Sequence, residues 1–182
     1  MSLTITVVSD THCLSWDEVH PNIKTAMSKS DLTVHCGDFT KMDVVDGVLK
    51  VANHAIVVHG NSDPIEIRKA LPATEMIDTG DLKIGVTHPV WGGPPFELEK
   101  LLGDFDVPVD VVLFGHLHEV HNVRKNGVLF ISPGLGYRSF MMDSTIVEIT
   151  VDGLSVHAEI KVIESAEEKK KLNRRYQYDS QN

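Results

Sequence analysis

The chain has 182 residues and a mass of 20.2 kDa, room for one domain and hardly two, and its 42% hydrophobic and 24% charged residues exclude a disordered tail. Seventeen Lys and Arg against 26 Asp and Glu leave a net charge of −9 and a pI near 5.5, which excludes broad electrostatic binding of nucleic acid. Ten histidines stand beside only two cysteines, Cys13 and Cys36, which share no CxxC spacing; this points away from a disulfide scaffold or thiolate zinc site and toward imidazole chemistry.

Leu3–Val8 is a β-branched apolar run ending abruptly at Ser9-Asp10-Thr11-His12, which predicts a buried strand entering a loop. After Pro21, Ile23–Met27 has helical spacing, and Leu32–His35 predicts a second strand closed by Cys36-Gly37-Asp38. Met42–Val51 places Val44, Val45, Val48, Leu49 and Val51 largely on one helical face, and Ala55–Val58 predicts a third strand before Gly60-Asn61. The order βαβαβ predicts a parallel sheet flanked by helices. Ile84–Thr87 then reads as a strand ending at His88, Phe96–Leu102 as a helix behind Pro94-Pro95, and Val109–Phe114 as a strand ending at Gly115-His116. Beyond them Val120–Val123, Val128–Ser132, Thr145–Val151 and Leu154–Val162 predict strands. The turns Lys125-Asn126-Gly127 and Val151-Asp152-Gly153 make that last third antiparallel. Residues 1–163 are expected to form a single domain, and 164–182 a charged tail, a short solvated helix that frays. No apolar run approaches the roughly 20 residues of a membrane span, and Met1 to Asp10 has no signal-peptide pattern. The expectation is a cytoplasmic protein with no membrane partner.

The polar residues that end these strands carry the chemistry. P-loop, HExxH, GxSxG and EF-hand patterns are absent from the chain, and Gly134-Leu135-Gly136 lacks the third glycine of a dinucleotide fingerprint. Instead the first strand ends at Asp10 and His12, the second at Asp38, the third at Asn61, and later ones at His88 and at His116 and His118. Steps of 26, 23, 27 and 28 residues separate His12, Asp38, Asn61, His88 and His116, each close to one strand–helix unit. Open α/β sheets carry their functional groups beyond the carboxyl ends of the strands, so the chain returns repeatedly to one rim. Singly, each motif reads as a turn or a strand end; together they predict a metal site. Two carboxylates, one amide and four imidazoles without a thiolate suit Mn²⁺ first, and also Fe²⁺, Zn²⁺ or Ni²⁺. Seven donors exceed one tetrahedral site and fit two divalent metals sharing a carboxylate at about 3.5–4 Å. Such a pair of cations would invert the local charge and attract a phosphate ester to an acidic protein.

The ordered blocks DTH (10–12), GD (37–38), GNSD (60–63), TH (87–88) and GHLH (115–118) resemble the calcineurin-like metallophosphoesterases. The HCGDFT segment and ISPG at 131–134 are similar to the small YfcE-like phosphodiesterase branch, whose fold the retromer scaffold subunit shares. The resemblance covers roughly residues 3–160. It implies an α/β fold, a four-layer αββα sandwich of two mixed β-sheets. It also implies that Asp10, His12, Asp38 and His118 hold one metal, and Asp38, Asn61, His88 and His116 a second, bridged by Asp38. Asp38, Asn61 and His88 would thereby be catalytic, with a hydroxide bridging two divalent metals attacking the phosphorus of a small phosphate ester.

Two departures stand out. The slot after the ligand Asn, a proton-donating His in many larger relatives, is Ser62 followed by Asp63, which leaves the general acid unassigned. His88-Pro89-Val90 stands where close relatives commonly read His-Gly-His, and the proline removes a backbone N–H. Arg138, after Pro133-Gly134, is a candidate grip on a substrate phosphate, although an ordinary surface arginine is the commoner outcome. Cys13 and Cys36 read as buried small hydrophobes, His35 as a strand residue, and Trp91 and Phe96 as a wall of the cleft or a cover of the core. A metal-dependent phosphodiesterase is the leading expectation. Its rivals are a catalytically weak or inactive scaffold of the retromer-subunit type and a phosphomonoesterase or nuclease of the same superfamily. A homo-oligomer through edge strands of the antiparallel part is compatible with either.

Overall fold

A computed structural model describes residues 2–90 and 96–170 of the chain. The alternation of β1 (Leu3–Val8) divides its side chains between two cores. Ile5 and Val7 enter one, while Val8 enters another and the Thr6 hydroxyl donates to the Ala26 carbonyl of the covering helix α1, Pro21–Lys29. The strand is consequently buried on both faces. It sits centrally in a five-stranded sheet ordered β10 (Ser155–Glu164), β9 (Ser144–Asp152), β1, β2 (Leu32–His35), β3 (Ala55–Val57). β1, β2 and β3 run parallel, joined by α1 and by α2 (Met42–Val51), whereas β9 and β10 pair antiparallel at the other side.

The second sheet is ordered β4 (Thr74–Asp78), β5 (Lys83–Thr87), β6 (Val111–Phe114), β8 (Val128–Pro133), β7 (Val120–Lys125). β5, β6 and β8 are parallel; β4 and β7 close the edges antiparallel. Asn126 and Gly127 take φ of 49° and 87° in the β7–β8 turn, as an Asn-Gly hairpin requires.

Both sheets are mixed, and they pack face to face through Ile5, Val7 and Val34 of the first against Ile84, Val86, Leu113 and Ile131 of the second. Each such fully buried side chain contributes about 1.5–3 kcal/mol of transfer free energy. Ile23 and Met27 of α1, Val44, Val45 and Val48 of α2 and Ile67 of α3 (Ile65–Ala70) cover the outer face of the first sheet. Leu98 and Leu101 cover Val112, Phe114 and Phe130 on the outer face of the second. The result is the αββα sandwich expected from the sequence.

Three local features differ from the sequence reading. The helix expected over 96–102 is a 3₁₀ segment, Leu98–Asp104, whose buried Leu98 and Leu101 repeat at the three-residue period of that helix; Pro94 and Pro95 lie outside the described residues. β4 and α3 add to the elements legible in the sequence, since β4 is a half-buried edge without alternation and α3 is only six residues long. Finally, β10 runs through Glu164, and a helical turn over 166–170 docks Ala166 at 5% exposure, its N–H donating to Asp143 Oδ1 at 2.8 Å. The rest of the charged tail, 171–182, lies outside the described residues. No helix among the described residues is long and apolar enough to cross a membrane.

Candidate metal centre

The parallel strands of both sheets end at one rim. Asp10 and His12 follow β1, Asp38 follows β2, Asn61 follows β3, His88 follows β5, and His116 and His118 follow β6. Within the first sheet the Asp10 N–H donates to the Gly37 carbonyl at 3.0 Å and the His12 N–H to the Asp38 carbonyl at 3.1 Å. Across the sheets the His116 N–H donates to Asp10 Oδ2 at 3.0 Å, and His88 Nδ1 lies 2.7 Å from the Cys36 carbonyl oxygen.

The side chains of the seven expected ligands converge. His12 Nε2 is 3.3 Å from His118 Nε2, and Asp10 Oδ1 faces them at 3.8 and 3.2 Å. Asp38 Oδ2 lies 3.7 Å from His12 Nε2 and 3.6 Å from His88 Nε2. Asn61 Oδ1 is 2.9 Å from His88 Nε2 and 2.6 Å from His116 Nδ1. Asp10, Asp38 and His88 are buried at 0%, 2% and 4% exposure, while His12, His116 and His118 are half-buried and Asn61 opens to solvent. The site therefore has a buried floor and an accessible mouth.

Burial alone would raise the pKa of Asp10; the His118 ring, His88 and the Ser9 hydroxyl outweigh it and hold the carboxyl below its ordinary value. The Asp10 carboxylate in turn raises His118, against its burial. His116 moves the other way, lowered first by desolvation and then by His88.

The polar groups are arranged for a cation. His88 Nδ1 faces a carbonyl, which only accepts, so in the neutral ring that a metal ligand requires Nδ1 carries the proton and Nε2 turns its lone pair into the site. That lone pair then meets the carbonyl oxygen of Asn61, acceptor against acceptor at 2.9 Å. Asp10 Oδ1 is buried without a hydrogen-bond partner, a costly state unless a positive charge meets it. Two triads satisfy the spacing of metal ligands, Asp10 with His12 and His118, and Asp10 with Asp38 and His88. An oxygen and imidazole donor set fits divalent Mn, Fe, Zn or Ni.

The remaining candidates separate from this cluster. Arg138 Nε binds Glu164 at 2.8 Å and lines a recess of about 360 Å³ with Asp17, Glu18 and His20, which holds none of the seven ligands. The structure thus shows Arg138 as a surface arginine paired with Glu164, away from the seven ligands. Cys13 and Cys36 are buried free thiols; burial lifts Cys13 to about 11 and pushes Cys36 well above the usual thiol range. His35 stacks on Phe39 with ring centroids 3.7 Å apart, a core residue of β2. Trp91 lies outside the described residues, and Phe96 is half-buried before the 3₁₀ segment.

Sequence reasoning missed the residues that hold the ligands in place. The Ser9 hydroxyl donates to Asp10 Oδ2 at 2.5 Å, and the buried carboxylate of Asp63 gathers three backbone N–H groups of the ligand loops. Asp63 stands inside the GNSD block, but a block gives order along the chain and not the direction of a hydrogen bond.

Comparison with known proteins agrees with this geometry. The family model of the calcineurin-like phosphoesterase superfamily domain matches residues 3–153. A probable metallophosphoesterase of Methanocaldococcus jannaschii is 32% identical over 136 residues, which make up 73% of this chain and 68% of that protein. A phosphodiesterase of the same archaeon is 29% identical over 148 residues, 72% of this chain and 83% of its own. The crystal structure of Chaetomium thermophilum Vps29 superposes with a TM-score of 0.71 over 90% of this chain and 99% of that one, at 19% identity, a likeness of fold. With five motif blocks in order, their side chains converging at one rim and the family match spanning both sheets, the chain belongs to the calcineurin-like phosphoesterase superfamily.

Proposed function

We propose that the chain is a phosphodiesterase that hydrolyses a small phosphate ester with two divalent cations, Mn²⁺ first among them, in the reducing cytoplasm that its two buried free thiols suit. The observation that carries the reading is the placement of Asp38. Its Oδ1 accepts the Ser62 N–H at 2.8 Å, which leaves Oδ2 free between His12 on one side and His88 on the other. One carboxylate oxygen thus faces both halves of the donor set, the position of a bridging ligand. Asp10, His12, Asp38 and His118 would hold one cation; Asp38, Asn61, His88 and His116 would hold the other. Bound there, the pair supplies activation of water and neutralisation of phosphoryl charge.

The chain's own part is orientation. The Ser9 hydroxyl and the His116 N–H fix Asp10, the Cys36 carbonyl fixes the tautomer of His88, and the buried floor keeps these groups in place. The intact ligand set supports catalysis over a scaffold role, and the phosphodiesterase among the relatives supports the diester. Protein stripped with chelator and reloaded with Mn²⁺ should hydrolyse bis-(p-nitrophenyl) phosphate, and Asp38→Ala should reduce the rate at least about 100-fold. Undiminished activity in Asp38→Ala, or a protein that takes up no metal, would sink the reading.

A further inference from the structure

The loop after β2 and the loop after β3 each bring one ligand of the second cation, Asp38 and Asn61, and nothing in the backbone ladder joins their tips. Asp63 does. Its side chain is buried at 2% exposure, and both carboxylate oxygens are used: Oδ2 accepts the N–H of Asp38 at 3.1 Å and of Gly60 at 2.7 Å, Oδ1 that of Thr40 at 2.7 Å. The return stitch is the Ser62 N–H on Asp38 Oδ1. Asp38 and Thr40 hold left-handed φ of 61° and 69°, a strained backbone for residues other than glycine, so these contacts are what retain the turn. Arg68, exposed on α3, completes the arrangement: Nε donates to the Asp63 carbonyl at 2.7 Å and the guanidinium also to the Asn61 carbonyl.

We propose that Asp63 and Arg68 are positioning residues that set the distance between Asp38 and Asn61, and so determine whether the second of the two cations binds. The inference rests on the phosphodiesterase reading above and adds to it the residues on which double occupancy depends. Asp63 touches no ligand atom of the site. Asp38 is held by its own backbone N–H, and without that contact its φ is free to relax and carry Oδ2 away from His88. An amide at position 63 offers one acceptor oxygen where three N–H groups need two, and its NH₂ would face a donor.

Equilibrium dialysis against Mn²⁺, with electron paramagnetic resonance of the loaded protein, tests this on the full chain. Wild type should bind two Mn²⁺ and show the signal of a spin-coupled pair. Asp63→Asn should keep the first ion at near wild-type affinity, bind the second about 10–100-fold more weakly, and lose the coupled signal at equal loading. Arg68→Gln, at an exposed position that does not threaten folding, should shift the second ion in the same direction, and Arg68→Lys, which reaches one carbonyl, should recover part of the loss. Lower melting temperatures with unchanged Mn²⁺ affinity and an intact coupled signal would show a merely structural role and overturn the inference. Wild type that takes up no Mn²⁺ would overturn the phosphodiesterase reading and this inference with it.

Discussion

At Asp10, His12, Asp38, His116 and His118 the backbone takes left-handed φ between 44° and 82°. For side chains other than glycine each such residue costs roughly 1–3 kcal/mol, a strain concentrated on ligands and sustained by close packing around them. Gly115, just before His116, shows how close. A methyl group there would collide with the Ser9 hydroxyl and approach the Cys36 carbonyl at 2.6 Å and Asp10 Oδ2 at 2.9 Å, all rigidly held. Gly115→Ala should therefore lower stability by about 1–3 kcal/mol and weaken Mn²⁺ binding, since the displaced groups orient Asp10. Urea midpoints with dialysis would check this; a wild-type midpoint and affinity would mean that the loop has slack. None of it was legible in the sequence. Residue type and spacing identified the ligands, but φ and the partner of each oxygen depend on what the other sheet brings to the rim.

Among the elements, α2 sets propensity against packing. Glycine inside a helix is about 0.8–1.0 kcal/mol worse than alanine, so Gly47→Ala should stabilise α2 in isolation. Yet Gly47 is buried, and an added Cβ would run into the indole of Trp16, whose ring carries the Lys24 ammonium 4.7 Å from its centroid. The collision decides the sign: Gly47→Ala should destabilise by about 1–3 kcal/mol and shift the Trp16 emission. A higher urea midpoint with unchanged emission would show that the indole moves aside freely. The same contrast explains which elements the sequence disclosed. β1 and β6 are largely apolar runs because both faces are covered, and α2 shows its valines on one side, so burial wrote their pattern directly. β4 borders only β5, carries Glu75 and Asp78, and is half-buried along most of its length, which leaves no periodicity to read. Leu98–Asp104 has apolar residues at a spacing that α- and 3₁₀-helices share, and only the packing of Leu98 and Leu101 against the second sheet distinguishes them.

For the molecule as a whole, two sheets back to back bring the ends of five parallel strands, β1, β2, β3, β5 and β6, to one rim, and the polar core beneath that rim includes His35. His35 is fully buried, 3.2 Å from the Thr11 hydroxyl and stacked on Phe39, with Nδ1 unpartnered. Burial pushes its pKa from 6.5 down to about 3, with only partial relief from Asp10. Above pH 6.5 the folded and unfolded chains both carry it neutral and its contribution is full. As the pH falls from 6.5 toward 3, the unfolded chain takes up a proton that the folded chain refuses, so stability declines by up to about 1.4 kcal/mol per pH unit. His116, lowered by burial, adds to this acid loss; His118, raised by Asp10, opposes it, its contribution being present at low pH and lost as pH rises through its elevated value. The His35 share is isolated by comparing chelator-stripped wild type with His35→Gln in urea between pH 7 and 4.5. The variant should be less stable at pH 7, since its amide replaces a ring stacked on Phe39, but should lose stability less steeply toward acid, so that the two curves converge. Parallel curves would mean that the acid sensitivity of the fold arises at the rim and not in β2.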